Sequence, residues 1–161
     1  MQASDIIPTI AEIAIGIAGF SAIIVVLSPK PIRAWHQVDQ HNFRGLLQVT
    51  AVTVFFCFLP FVVDIVAGEG RVWKISLLIY AAYHVVDLAT FTFQFPKEAG
   101  LVNRLMLFLG YVVATIQIVF GLTGSAQSME AVYLVALIWH LSVSFTAFVL
   151  LILNSRKDET I

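Results

Sequence analysis

Residues 72–95 read VWKISLLIYAAYHVVDLATFTFQF, a run in which Lys74 and Asp87 are the only charged side chains. A helix of this length rises about 36 Å at 1.5 Å per residue, which is enough to cross a hydrocarbon core of about 30 Å. Gly70 precedes the run and Pro96 follows it, and both residue types interrupt helices. The stretch therefore predicts one membrane-spanning helix with defined ends.

Four other apolar runs of similar length flank this segment. The sequence predicts five spans in a single domain, 1–161, at about 6–27, 43–67, 72–95, 101–122 and 130–153, with 32–42 as a polar linker. The composition agrees, since 60% of residues are hydrophobic, only 12% are charged and the mean hydropathy is +0.93. Soluble domains carry roughly 25% charged residues. We therefore expect an all-α, polytopic membrane helix bundle with about five transmembrane helices, in contact with the lipid bilayer.

The basic residues predict the orientation of this bundle. With five spans, two residues fall on the side that the α-amino group occupies, namely Arg71 and Lys74. Seven fall on the opposite side, namely Lys30, Arg33, Arg44, Lys97, Arg104, Arg156 and Lys157. Because an excess of lysine and arginine marks the cytoplasmic side, the N-terminus is predicted outside and the C-terminus in the cytoplasm.

Two segments of the first two spans resemble a known group of proteins. They are Ala11-Glu12-Ile13-Ala14 through Gly19-Phe20, and the proline-bearing Phe58-Leu59-Pro60-Phe61. In these segments the chain resembles small multi-pass membrane proteins of bacteria that carry no assigned activity. The resemblance implies a bacterial cytoplasmic (inner) membrane and says nothing about chemistry.

Composition and motifs exclude several classes of function. The net charge of -1 offers no basic surface, so nucleic acid is not an expected partner. One cysteine, Cys57, allows neither an intrachain disulfide nor a cysteine-based zinc site. The sequence has no HExxH, no GxSxG and no phosphate-binding glycine loop, and we therefore expect that the protein is not an enzyme.

The third span carries polar residues along one narrow helix face. At 100° per residue, alternating steps of four and three align Ser76, Tyr80, Tyr83, Asp87, Thr90 and Gln94, and His84 lies at the edge of this face. A charged side chain at mid-bilayer costs at least about 2.5 kcal/mol, so such residues usually face the bundle interior. We expect this face to point toward protein or water, away from lipid.

The first functional hypothesis is proton or ion movement along such polar residues. The predicted pathway consists of Glu12, Asp64, Tyr80, Tyr83, His84, Asp87, Gln94, Gln117 and His140. In it, His84 and Asp87 form the central relay, and Glu12 and Asp64 form the outer entrance. Transporters usually place their sites between internal repeats, and this chain has none. We therefore expect a homo-oligomer with the third span near its axis.

The second hypothesis is a structural, sensory or regulatory membrane protein that acts on a membrane-protein partner. The same polar residues, including a buried pair of His84 and Asp87, would then only fix the helix packing. Four glycines are predicted to allow close approach of helices, namely Gly16, Gly19, Gly110 and Gly121.

A third hypothesis is a cofactor site, although the sequence favours a protein without cofactor or metal. His84 and His140 fall at similar depth on different spans, which is the arrangement that two axial imidazoles of a b-type haem require. Asp87 with the two histidines would be the corresponding candidate for a metal site.

Overall fold

The computed structural model describes residues 3–28 and 31–155, and it contains no strand in these ranges. The helices are α1 (Ala3–Leu27), α2 (Gln37–Ala67), α3 (Val72–Phe93), α4 (Leu101–Thr123) and α5 (Ala126–Ser155), with short 3₁₀ turns at Ile32–Ala34 and Glu69–Arg71. Each of these five helices is long and apolar enough to cross a membrane. The predicted all-helical bundle of five spans is confirmed.

The linker between the first two spans is shorter than the sequence predicted. Residues 37–42 belong to α2, where the amide nitrogens of Asp39 and Gln40 both lie 3.0 Å from the carbonyl oxygen of His36. The prediction followed hydropathy, which detects only the apolar part of a helix. Polar residues continue the same helix beyond that part, because their backbone hydrogen bonds are made within the helix whatever their side chains.

The helices run alternately up and down. Ile7 of α1 packs in one core cluster with Phe56 of α2 and Tyr133 of α5, whereas Ile17 packs in a second cluster with Leu46 and Leu151. The early part of α1 therefore meets the later part of α2 and the early part of α5. We call the first cluster's side the N-terminal end of the bundle and the second cluster's side the C-terminal end.

The basic residues distribute between these two ends as the order of the helices requires. Arg71 and Lys74 follow the α2–α3 connection at the N-terminal end, and Arg33, Arg44, Lys97 and Arg104 belong to the C-terminal end. Lys30, Arg156 and Lys157 lie outside the described residues. Which end faces the cytoplasm stays a prediction.

Helix α5 lies at the centre of the bundle and contacts all four other helices. Helix α1 packs on α2 and α5, while α4 packs on α3 and α5. A Cβ atom at Gly110 would lie 2.8 Å from Leu88 Cδ2, and one at Gly121 would lie 2.7 Å from Leu78 Cδ2, so these glycines lie in close contact with leucine side chains where α4 meets α3. A Cβ atom at Gly16 or Gly19 would have nothing within 4 Å, so these glycines do not form a close helix contact in the described chain.

Candidate intramembrane polar site

The polar face of α3 turns into the bundle over most of its length. Ser76 and Tyr80 are 0% exposed, His84 is 2% exposed and Asp87 is 9% exposed. Tyr83 is half-buried, while the last two members of the face, Thr90 and Gln94, are exposed. The expectation that Asp87 and its neighbours avoid lipid therefore agrees with the structure for the four central positions.

Two histidines from different helices meet in the interior. The rings of His84 on α3 and His140 on α5 have centroids 4.5 Å apart and planes inclined by 60°. His84 Nδ1 lies 2.6 Å from Gln117 Oε1, so the Nδ1 hydrogen is donated to the amide oxygen. His140 Nδ1 lies 2.8 Å from the Tyr80 hydroxyl and 3.1 Å from the carbonyl oxygen of Ala136. Each histidine is thus oriented through Nδ1, and neither Nε2 atom has a hydrogen-bond partner within the described part of the chain.

Asp87 is held by neutral donors from two helices. Its Oδ1 atom accepts a hydrogen bond of 2.5 Å from Gln48 Nε2 on α2 and one of 3.3 Å from the Tyr83 hydroxyl. Its second oxygen, Oδ2, makes no hydrogen bond to the described residues, and no cation pairs with it there.

His84 and Asp87 form no hydrogen bond with each other among the described residues, and each makes an interhelical hydrogen bond instead, which is the other arrangement considered under the packing hypothesis. Positions three apart on a helix differ by 60° in direction, so neighbouring polar residues can point to different helices. His84 turns toward α4 and bonds Gln117, whereas Asp87 turns toward α2 and bonds Gln48.

A cavity of about 100 Å³ lies between α2, α3, α4 and α5, next to both histidines. Its polar lining consists of His41, Asn42, His84, Asp87, Asn103, His140 and Thr146. A cavity of this size has room for a few water molecules, and the polar side chains in its otherwise mostly apolar lining are the groups that such water would bond. The cavity thus brings three titratable groups, His84, Asp87 and His140, to one small space.

A wider depression of about 510 Å³ adjoins this cavity at the C-terminal end, and we call it the vestibule. Its polar lining includes His36, Asp39 and Glu98, and it shares Asn42, Asn103 and Leu150 with the cavity. The cavity therefore has a polar approach from this end.

On the other side of the histidines the bundle is filled by aromatic residues. Phe56 and Tyr80 stack with ring centroids 4.0 Å apart, and the Tyr133 hydroxyl donates to the carbonyl oxygen of Phe56 at 2.5 Å. Phe56 is 2% exposed and both tyrosines are 0% exposed. Packed aromatic side chains therefore block a route for water through a single chain toward the N-terminal end, whereas toward the C-terminal end the cavity borders the vestibule.

The remaining predicted pathway residues lie outside this cluster. Glu12, Asp64 and Gln94 are exposed on the surface of the bundle and line neither the cavity nor the vestibule. Lys74 is exposed too, and it forms no ion pair with Glu12 or Asp64 in the described chain. The structure thus assembles Tyr80, Tyr83, His84, Asp87, Gln117 and His140 and leaves the proposed outer entrance apart from them.

Three residues of the site are not among the predicted pathway residues, namely Gln48, Asn42 and Asn103. The buried face of α2 recurs at steps of three and four through Asn42, Gly45, Val49, Thr53, Phe56 and Pro60. Extending the pattern of the second span backward by one turn would have found Asn42. Nothing comparable marks Asn103, which lies two residues into α4.

The two histidines do not fit a haem in this arrangement. Axial imidazoles hold a haem from opposite faces, so the haem lies between them. The ring centroids of His84 and His140 are only 4.5 Å apart, and the cavity beside them measures about 100 Å³, which leaves no room for a haem between the rings. Among the described residues no group of three or more His, Cys, Asp or Glu side chains has the geometry to hold a metal. We expect the visible absorption spectrum of the purified protein to lack a Soret band.

Five spanning helices around a buried polar core define a multi-pass integral membrane protein with an intramembrane polar site. No family model, no curated protein and no solved structure matches the chain. The resemblance of its first two spans to small bacterial membrane proteins stays a prediction, and the function is inferred from the site itself.

Proposed function

We propose that the protein moves protons within the membrane, with Asp87, His84 and His140 as the groups that bind and release them. The observation that carries this proposal is that all three line one cavity between α2, α3, α4 and α5. Chains of acidic and histidine side chains in membrane helices are typical of proton relays, because each group can gain and lose a proton at accessible pH.

The hydrogen bonds leave one free atom on two of these groups. Gln117 fixes the hydrogen on His84 Nδ1, so Nε2 is the atom at which neutral His84 takes up a proton. Gln48 and Tyr83 both bond Oδ1 of Asp87, which leaves Oδ2 to exchange a proton with the cavity. In the third group, His140, the Tyr80 hydroxyl bonds Nδ1 and continues the network toward the aromatic core.

We further propose that the protein is a homo-oligomer in a bacterial cytoplasmic membrane, with the C-terminal end on the cytoplasmic side. The position of Glu12 supports association. It is exposed about 14 Å along α1, at 1.5 Å per residue, where a carboxylate facing acyl chains is costly. A second copy would cover this residue and supply the path past the aromatic core that one chain lacks. A monodisperse monomer in mild detergent would count against this part of the proposal.

The test of proton movement uses proteoliposomes with a trapped pH-sensitive dye and an imposed pH gradient. We expect the Asp87→Asn variant to dissipate the gradient about tenfold or more slowly than the parent, because an amide cannot carry a proton at accessible pH. Asp5→Asn makes the same chemical change at an exposed position of α1, and we expect it to match the parent.

Two results would contradict the proposal. Parent proteoliposomes that hold the gradient as long as protein-free liposomes would show that the chain does not move protons. Equal rates for the parent and the Asp87→Asn variant would remove Asp87 from the mechanism.

A second candidate function, a structural or regulatory role, is favoured by a different observation. Most polar groups of the cluster have an internal partner, as in the pairs Gln48–Asp87, His84–Gln117 and Tyr80–His140. Hydrogen bonds of this kind fix the register between membrane helices even where they stabilise little. Under this reading the proteoliposomes show no flux and a membrane-protein partner co-purifies with the chain.

A further inference from the structure

The boundary between the vestibule and the cavity is formed by two asparagines from different helices. Asn103 Nδ2 on α4 donates a hydrogen bond of 3.0 Å to Asn42 Oδ1 on α2. These two residues and Leu150 line both spaces. The hydrogen bond therefore lies on the boundary across which water in the vestibule would reach the cavity lined by His84, Asp87 and His140.

The closed arrangement leaves Asn42 incompletely bonded. Asn42 is 7% exposed, and its own Nδ2 atom is buried without a hydrogen-bond partner among the described residues. A buried donor without a partner is costly, and it gains a bond as soon as water reaches it. Entry of water thus offsets the loss of the bond between Asn42 and Asn103, which lowers the free-energy difference between the closed and the open arrangement.

The start of α4 is loosely held apart from Asn103. Leu101 is 72% exposed and Val102 is 43% exposed, and Gly100 precedes the helix without a side-chain cap. The first turn of α4 therefore has few packing contacts to lose when it moves away from α2.

From these observations we propose that Asn42 and Asn103 form a gate that admits water from the vestibule to the histidine cavity. The ligand of this internal site is water, which would bond Asn42 Nδ2, Asp87 Oδ2 and the Nε2 atoms of the histidines. The inference deepens the proposed proton function by naming its route of access and the pair that controls it. Water access is nevertheless measurable without any proton flux.

The test is the rate at which a small, water-soluble, cationic methanethiosulfonate reagent labels a cysteine placed in the cavity. Thr146→Cys introduces a thiol of similar size at a residue that lines the cavity, and Val38→Cys places one in the vestibule. The native thiol of Cys57 is 1% exposed in the core of the N-terminal end, so the parent chain gives the background.

We expect Asn103→Ala to raise the labelling rate at Thr146→Cys by about threefold to fivefold, the factor that one interhelical hydrogen bond represents. Asn103→Leu removes the same hydrogen bond, but its larger apolar side chain of similar shape still fills the boundary, so we expect it to slow labelling at Thr146→Cys. Tyr111→Phe is the matched control, because it removes a hydrogen bond of 2.8 Å from Thr92 between α3 and α4 on the exposed surface. We expect Tyr111→Phe to leave the labelling rate of Thr146→Cys unchanged. We also expect Asn103→Ala to leave the labelling rate of Val38→Cys, in the vestibule, unchanged.

Two results would contradict the gate. In one, the thiol of Thr146→Cys is labelled at the background rate in every variant, and in the other its labelling rate is the same with Asn103, Asn103→Ala and Asn103→Leu. If the Asn103→Ala variant does not fold, the Asn103→Leu variant tests the gate, because slower labelling of Thr146→Cys than in the chain with Asn103 supports it and an equal rate contradicts it. A gate that behaves as expected, in a parent chain whose proteoliposomes hold the pH gradient as long as protein-free liposomes, would overturn the proton function alone. Flux that depends on Asp87 with labelling indifferent to Asn103 would overturn the gate alone.

Discussion

Replacing Phe56 with alanine is expected to lower the free energy of unfolding by about 3–5 kcal/mol. Phe56 is 2% exposed, and its ring stacks on the Tyr80 ring with centroids 4.0 Å apart. The centroid of the Tyr83 ring lies 5.5 Å from that of Phe56. Alanine removes these contacts and leaves a cavity between helices that cannot close completely. In a membrane the packing contacts carry this loss, because lipid tails are as apolar as the core.

The measurement is reversible unfolding in mixed detergent micelles, with Phe58→Ala as the control. Phe58 lies on the same helix and is 59% exposed on the surface of the bundle, so its truncation should change the stability by at most about 0.5 kcal/mol. Similar losses for the two variants would mean that the aromatic core does not hold the bundle together.

The number of spans was predictable from hydropathy for a physical reason. Within lipid every backbone hydrogen bond must be made inside the segment, so each apolar run of sufficient length becomes a helix. Lipid does not act on the helix ends, which explains the error at residues 37–42. There the chain leaves the apolar layer while α2 continues.

The direction of each helix face was harder to predict than the span. On α3 the polar residues recur often enough to mark one face, and Tyr80, His84 and Asp87 are indeed buried. In each of the first two predicted spans, 6–27 and 43–67, a single acidic residue carries the signal, and these residues, Glu12 and Asp64, are exposed. Positions that face lipid and positions that face protein are both apolar in such helices, so composition alone does not fix the rotation of α1 or α2.

The partners within the site were not predictable. Gln48 and Asp87 are 39 residues apart, and Tyr80 and His140 are 60 apart. A pairing between helices depends on their order and rotation around the bundle. The sequence therefore predicted several of the polar side chains that the structure brings together, whereas the structure supplied their hydrogen bonds and the cavity.

Replacing His84 with leucine is expected to cost about 1–3 kcal/mol of stability, because it leaves a buried amide without any partner. Gln117 is 0% exposed, its Oε1 bonds His84 and its Nε2 already lacks a partner among the described residues. The double variant His84→Leu with Gln117→Leu replaces both polar groups with apolar ones of similar size. We expect it to regain most of the lost stability, and a double-mutant cycle in mixed detergent measures this coupling.

The same variants separate a proton carrier from a packing residue. If His84 carries protons, the double variant recovers its stability while its proton flux in liposomes stays as low as that of His84→Leu. If His84 only fixes the packing of α3 against α4, any flux of the parent returns together with the stability. Recovery of flux in the double variant would therefore exclude His84 from the relay, because leucine has no ring nitrogen that could bind or release a proton.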